Sequence, residues 1–254
     1  MPASQIGAQL YTLREFTKTP EDIAKTLSRV KKMGYDAVQA SALGPIEPKE
    51  LAKILHNEGL TCAATHLPIE KMMNEPAKVI EDHQLWGCKY TAIGGFFQKQ
   101  FVTQDWLDFA KKYNDTSKKY AGSGISIGYH NHSHEMVRYD GKQALQILIE
   151  HLDQPIWFEI DTYWITHGGG DPAHWIEKVK GRIPCVHLKD MAIKTDRTQY
   201  MAEVGVGNLN WPRILEACRN AGVEWYLVEQ DVCYRDPFDS LETSLKNLKE
   251  MGLR

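Results

Sequence analysis

A chain of 254 residues with 43% hydrophobic and 25% charged residues has the composition of an ordinary soluble protein, long enough for one large α/β domain or two small ones. Its net charge of -3 gives no electrostatic case for nucleic acid or an anionic membrane surface, and no apolar run approaches the ~18 residues that span a bilayer. Five scattered cysteines without a C-x-x-C pair (Cys62, Cys88, Cys185, Cys218, Cys233) and the lack of a signal-peptide pattern at the N-terminus point to buried, reduced thiols in a cytoplasmic protein.

Strand-like and helix-like runs alternate from one end to the other. Ile6 to Tyr11 is the first strand, and Thr19-Pro20-Glu21-Asp22 starts a helix that Gly34 stops. Ala37 to Ser41 is followed by a helix over Pro48 to Glu58, and Thr61 to His66 by one near Glu75 to Trp86. Tyr90 to Gly94 precedes a long helix over Gln104 to Tyr120, with Trp106, Phe109, Ala110 and Tyr113 on one face. The fifth strand runs into ISIGYHNHSHE (Ile125 to Glu135), with a helix over Gln143 to Leu152 behind it. Trp157 to Asp161, Pro184 to Lys189 and Tyr226 to Glu229 are the last three strands. Their helices are capped by Asp171-Pro172, by Asn210 with Pro212, and by Asp236-Pro237. Eight strand–helix units in one domain over 1–254 predict a (β/α)8 TIM barrel. A doubly wound sheet would place a glycine-rich phosphate turn after the first strand, where this chain reads Thr12-Leu13-Arg14-Glu15-Phe16.

In such a barrel the chemistry lies at the C-terminal ends of the strands. Those ends carry Gln9 and Tyr11; His66; His130 and His132; Glu159 and Asp161; His187 and Lys189; and Glu229 and Asp231. The second and fourth strands end in small or neutral residues. Strands five to eight alternate these polar residues with apolar ones, whereas parallel strands buried on both faces normally read as continuous apolar runs. Burying so many ionisable groups is costly unless they are paired, hydrated or bound to a cation. His130, Asp161, His187 and Glu229 therefore predict a site for one divalent ion: Mn²⁺, Co²⁺ or Zn²⁺, with Mg²⁺ a further option. A hydrogen-bonded network of acids and imidazoles is the alternative.

The chain resembles the xylose isomerase-like TIM barrels of the sugar phosphate isomerase/epimerase family, through GAQLYTLR, GYDAVQ, ATHLP, GYHNHSHE, FEIDTYW, VHLKD, EVGVGNLNWPRIL and LVEQD in order. The resemblance implies a Glu, Asp, His, Glu metal set on strands five to eight, of which Asp161, His187 and Glu229 match three. The fourth position is His130, in His130-Asn131-His132, where many relatives read E-N-H. Trp164 stands where some epimerases carry a substrate-binding histidine. The YHNH form is similar to the YHHH of inosose dehydratases. Both groups abstract a proton beside a carbonyl, so the resemblance implies a small-molecule sugar or cyclitol substrate and either isomerisation and epimerisation, or elimination by a lyase.

Within that chemistry, Glu229 is the expected general base, or ligand and base together. His132 is a candidate acid, because histidine titrates near neutrality, or else a positioning group. Glu135 either binds a sugar hydroxyl, orients a histidine or faces solvent. Glu159 and His66 are read as substrate contacts. Lys189 pairs with Glu159 or Asp161, binds a hydroxyl or stabilises an enediolate; a Schiff-base aldolase role would require a lowered pKa, which neighbouring acids oppose. Glu203, ahead of Gly205 and Gly207, is either part of a loop over the pocket or a surface acid. Trp164, His167 and Tyr11 are candidate walls for a polyol, while Trp106 and Trp175 belong to the core between helices and barrel. A non-catalytic sugar-binding barrel is the remaining class, and apolar helix faces leave a homo-oligomer open.

Overall fold

The computed structural model describes residues 5–253. Eight parallel strands close into a barrel: β1 (Ile6–Gln9), β2 (Ala37–Ala40), β3 (Thr61–His66), β4 (Tyr90–Ile93), β5 (Ser126–His130), β6 (Trp157–Asp161), β7 (Cys185–Leu188) and β8 (Trp225–Val228). Each pairs with its neighbours in sequence, and β8 returns to β1 through Ile6↔Tyr226, Gly7↔Leu227 and Ala8↔Val228. The predicted (β/α)8 architecture is thus the observed one.

The helix starts follow the local chemistry read from the sequence. Thr19 Oγ1 accepts from Asp22 N, and Asp171, Asn210 and Asp236 accept from Ala173 N, Arg213 N and Phe238 N, each ahead of a helix with proline in its first turn. Such caps satisfy backbone donors that the helix leaves unpaired. Gly34, at φ 100°, closes the first helix. Outward residues such as Ile6, Ile127, Phe158, Ile160 and Val186 join Ile23, Leu27, Trp106, Trp175 and Leu245 in one apolar layer between strands and helices. Burial of each large side chain there contributes about 1.5–3 kcal/mol.

The barrel interior is built differently. Its floor is a small apolar cluster of Ala37, Ala63, Ala64, Ala92, Trp157, Cys185 and Leu227. Glycine at two inward positions makes room for the two large members. A Cβ at Gly128 would lie 2.4 Å from the Trp157 ring, and one at Gly7 would lie 2.7 Å from Leu227 Cδ2. Above this floor the inward positions become polar.

Several connections depart from the sequence reading. β1 stops at Gln9, whose side chain accepts from Tyr11 N and starts a 3-10 turn over Leu10–Phe16. A hairpin, Asp190–Ile193 with Gln199–Ala202, follows β7 where only a loop was expected. A smaller hairpin, Arg138–Tyr139 with Lys142–Gln143, and short helices Ile69–Asn74 and Thr162–His167 were also not foreseen. These elements are too short to display a hydrophobic period. Cys62, Cys88, Cys185 and Cys218 are buried free thiols, while Cys233 is half-buried. Among the described residues no helix is long and apolar enough to cross a membrane.

Candidate active site

The polar layer starts from one backbone N–H. Tyr11 N donates to Gln9 Oε1 (3.0 Å), so the Gln9 amide nitrogen faces Gln39 and donates to its Oε1 (2.9 Å). Gln39 Nε2 then points at Glu159 and donates to both its oxygens (3.0 and 3.2 Å). His187 Nε2 lies 2.6 Å from the same Gln39 Oε1. An amide oxygen only accepts, so His187 Nε2 carries a hydrogen. The free lone pair of a neutral His187 therefore sits on Nδ1, which faces the top of the barrel.

Four side chains converge there: one ligand atom from each of His130, Asp161, His187 and Glu229 lies within 4.8 Å of the others, and all four residues are buried. Asp161 Oδ1 accepts from Trp164 N (2.9 Å) as cap of the short helix, which turns Oδ2 into the cluster. There Oδ2 lies 3.4 Å from His130 Nε2 and 3.7 Å from His187 Nδ1. His187 Nδ1 and Glu229 Oε2 lie 2.9 Å apart as a buried ion pair, with no geometric hydrogen bond between them. His130 Nδ1 and His132 Nδ1 are buried and unpartnered as well. Asn131 holds the lip together, its Oδ1 accepting from Asp161 N (3.0 Å).

Lys189 is the cation of the cluster. Its Nζ lies 3.0 Å from Asp161 Oδ2, 2.7 Å from Glu229 Oε2 and 3.0 Å from Asp231 Oδ1. Burial alone would lower its pKa, but these three carboxylates raise it, which favours the protonated amine over a Schiff-base nucleophile. It pairs with Asp161, one of the two acids expected, and not with Glu159. Burial pushes Glu229 and Asp161 up; Lys189 with His187, and Lys189 with His130, outweigh it and hold both well below the usual carboxylate range. Burial also opposes a charged His187, but Glu159 and Glu229 raise it well above the ordinary histidine value. Asp231 goes the other way: burial and the Glu229 charge push it up to about 6.

A divalent ion fits these residues. Asp161, Glu229 and Asp231 carry three negative charges around the Lys189 ammonium once His187 has given up its proton to an ion, and metal bonds of roughly 2.0–2.2 Å require only a small contraction of the four donors. The donors are nitrogen and oxygen without thiolate, as Mn²⁺, Co²⁺, Zn²⁺ or Mg²⁺ prefer. His66, Glu159 and His187 form a second group of possible ligands. There Glu159 is already satisfied by Gln39 and by His66 Nε2 at 2.5 Å, so the group reads as a hydrogen-bonded support beneath the site.

The cleft above the cluster encloses about 430 Å³ and is lined by Tyr11, His66, His130, His132, Trp164, Lys189 and Glu229, all anticipated from sequence. Four expected substrate contacts lie elsewhere. Glu159 is fully buried below the cleft. Glu135 is also fully buried and does not face solvent; its oxygens accept from Tyr129 Oη (2.6 Å) and the His132 backbone N (2.9 Å), an arrangement compatible with the orienting role. His167 is exposed at the outer end of its short helix, stacked on Tyr163. Glu203 does not reach over the cleft, because Arg235 Nε (2.9 Å) and Ser240 Oγ (2.8 Å) hold it away. Burial and the neighbouring His130 lower the pKa of His132 to about 2, which favours the neutral imidazole and the positioning role over the acid one. Sequence reading assigned nothing to Gln9, Gln39, Asn131 or Asp231. For Asp231 the signal was present, two residues beyond Glu229 on the same alternating face.

The profile of the family described as xylose isomerase-like TIM barrel matches residues 27–251. An inosose dehydratase of Geobacillus thermodenitrificans is 24% identical over 84% of either chain. Among solved structures, a sugar phosphate isomerase/epimerase from Parabacteroides distasonis superposes with a TM-score of 0.81 at 24% identity, covering 98% of this chain and 94% of that one. An L-ribulose 3-epimerase gives 0.72 at 17% identity, with the same coverages.

Proposed function

The chain belongs to the xylose isomerase-like TIM barrel family, and from that premise we propose a divalent-metal-dependent enzyme that takes a proton from the carbon beside a sugar or cyclitol carbonyl and ends in isomerisation. The observation that carries this reading is the convergence of four buried donors, His130, Asp161, His187 and Glu229, with His187 Nδ1 presented as lone-pair donor by the Gln9–Gln39 relay and Glu229 Oε2 2.9 Å from it. His130, Asp161, His187 and Glu229 would hold the ion. When bound, it would polarise the substrate carbonyl and offset the charge that develops on its oxygen.

The remaining steps belong to the chain's own groups. Glu229, ionised and at the lip of β8, is the base. Lys189 stays charged and donates to a substrate oxygen, stabilising the enediolate. Asp231, at about 6, holds and returns a proton near neutrality better than His132 does. Tyr11 and Trp164 flank the ring, whose apolar face suits aromatic walls.

Both carboxylates lining the cleft, Glu229 and Asp231, come from the end of β8, whereas His130 and His132 rise from β5. Moving a proton between adjacent carbons on one face needs one such acid–base edge. Epimerisation draws on two opposed faces, and His130 stands where a second carboxylate would serve it. The same one-sided arrangement favours a second reading, elimination of water from a keto-sugar or inosose, in which Glu229 takes the proton and Asp231 protonates the leaving hydroxyl. Incubating the Mn²⁺-loaded protein with a panel of ketoses and inososes in heavy water separates the outcomes. Deuterium in an intact, isomerised sugar supports the first reading, and loss of water with formation of an enone supports the second. Inverted configuration at the exchanged carbon would mean that the face argument is wrong. The metal is tested independently: a stoichiometric ion after purification, lost in His130→Ala, is expected, and undiminished affinity in that variant refutes the ligand set.

A further inference from the structure

We infer that the substrate is a conjugate, in which a polar ring in the metal cleft is joined to a planar apolar arm lying in a second cavity. The ring half of this inference rests on the proposed function; the arm half rests on the cavity itself. That cavity, opened by the loops after β3 and β4, encloses about 650 Å³ and is larger than the cleft. The two share His66, Gly94 and Phe97 along one edge, so they adjoin there. Each alone falls in the range of roughly 300–1,000 Å³ that accommodates a whole small molecule. A six-carbon ring held at the cluster would leave the larger space unused.

The walls specify the chemistry of the arm. Leu67, Ile69, Ile93, Phe96 and Phe109 line the cavity; of its polar members Glu70, Asp108 and Lys112 are exposed, while His66 and Asp105 are half-buried. Asp108 and Asp105 are already engaged, by Gln104 Nε2 (2.9 Å) and Val102 N (2.7 Å). The aromatic wall is set in place: Phe96 N donates to Tyr129 Oη (3.3 Å), and His134 Nε2 lies 2.8 Å from Phe96 O. Phe96 also stacks on Phe109 with centroids 4.6 Å apart.

At the junction Phe97 is 62% exposed, with its ring against His132 at 5.0 Å. Such a large apolar ring, left open at the edge of a polar cleft, gains burial when a flat apolar group lies beneath it. The close approach of the loop to the cleft depends on Gly95, at φ 122°, where a Cβ would lie 2.9 Å from Phe97 and 3.1 Å from His132 Nδ1.

The test is saturation-transfer NMR of the Mg²⁺-loaded protein with paired phenyl and methyl β-glycosides of glucose, galactose and xylose in which one ring hydroxyl is oxidised to the ketone that the proposed function requires. At least one phenyl glycoside should bind about tenfold more tightly than its methyl partner and show saturation of the aryl protons. In Ile69→Trp, which fills the second cavity and leaves the cleft alone, the aryl saturation and the tenfold advantage should vanish while methyl glycoside binding is retained. Leu67→Trp serves as the second variant if Ile69→Trp fails to fold by circular dichroism. Equal binding of each phenyl–methyl pair, or aryl saturation that survives both fillings, overturns the inference. So does absence of binding by every phenyl glycoside, and the metal content, measured separately, then shows whether the proposed function falls with it.

Discussion

Replacing Gln39 by Leu removes the group that fixes the His187 tautomer and keeps nearly the same volume. Three contacts disappear together: the acceptor for His187 Nε2 (2.6 Å), the acceptor for Gln9 Nε2 (2.9 Å) and the donor to Glu159 (3.0 Å). All four residues are fully buried, so water cannot take over. His187 Nε2 then keeps only Glu159 Oε2, 3.3 Å away, and loses its closer acceptor; a buried N–H that is poorly satisfied costs up to about 1–3 kcal/mol, and His187 can escape that cost by moving its hydrogen to Nδ1, the atom assigned to the ion. Support of this kind behind a metal-bound imidazole is worth about 10–100-fold in metal affinity, or about 1.4–2.7 kcal/mol. The assay is titration of EDTA-stripped protein with Mn²⁺ by isothermal calorimetry, checked by competition with a chelating dye. Gln39→Leu should weaken the ion by one to two orders of magnitude. Gln9→Leu, one hydrogen bond further back, should weaken it less, because Gln39 then keeps its contact with His187 but loses its own orientation. Chelator-stripped melting curves separate any general loss of stability from the binding effect. If Gln39→Leu binds Mn²⁺ as tightly as the parent chain, the relay does not set the ligand and the reasoning fails.

Three further predictions concern His187, the ion and the barrel floor. His187 is protonated well above the ordinary histidine range, so its charged form stabilises the metal-free fold fully below about pH 6.5, and that contribution is lost as pH rises through the folded value. Metal binding has the opposite sign. The proton must leave Nδ1, so near neutrality close to one proton per ion should be released, seen as a buffer-dependent calorimetric heat, and affinity should drop about tenfold per pH unit on acidification. In the barrel floor, Gly128→Ala places a Cβ 2.4 Å from the Trp157 ring and should destabilise by about 1–3 kcal/mol in a urea titration. An unchanged midpoint would mean that Trp157 moves freely.

The barrel was legible in the chain because strand–turn–helix units recur with caps and stops that act locally. Thr19, Asp171, Asn210 and Asp236 each accept from a backbone N–H two or three residues ahead, so their roles need no tertiary information. The cluster of His130, Asp161, His187 and Glu229 was equally legible. Side chains alternate along a strand, and a parallel barrel gathers its C-terminal ends at one mouth. What stayed hidden depends on partners distant in sequence. Gln39 looked neutral at the end of a short strand, and only the barrel brings it between Gln9, Glu159 and His187. Glu135 and Glu203 looked like loop acids reaching for substrate until Tyr129, Arg235 and Ser240 were seen to hold them. Local order determined which groups face the mouth. Packing alone decided which of them remain unpaired there, because hydrogen-bond satisfaction is a property of the whole folded interior and not of any one strand.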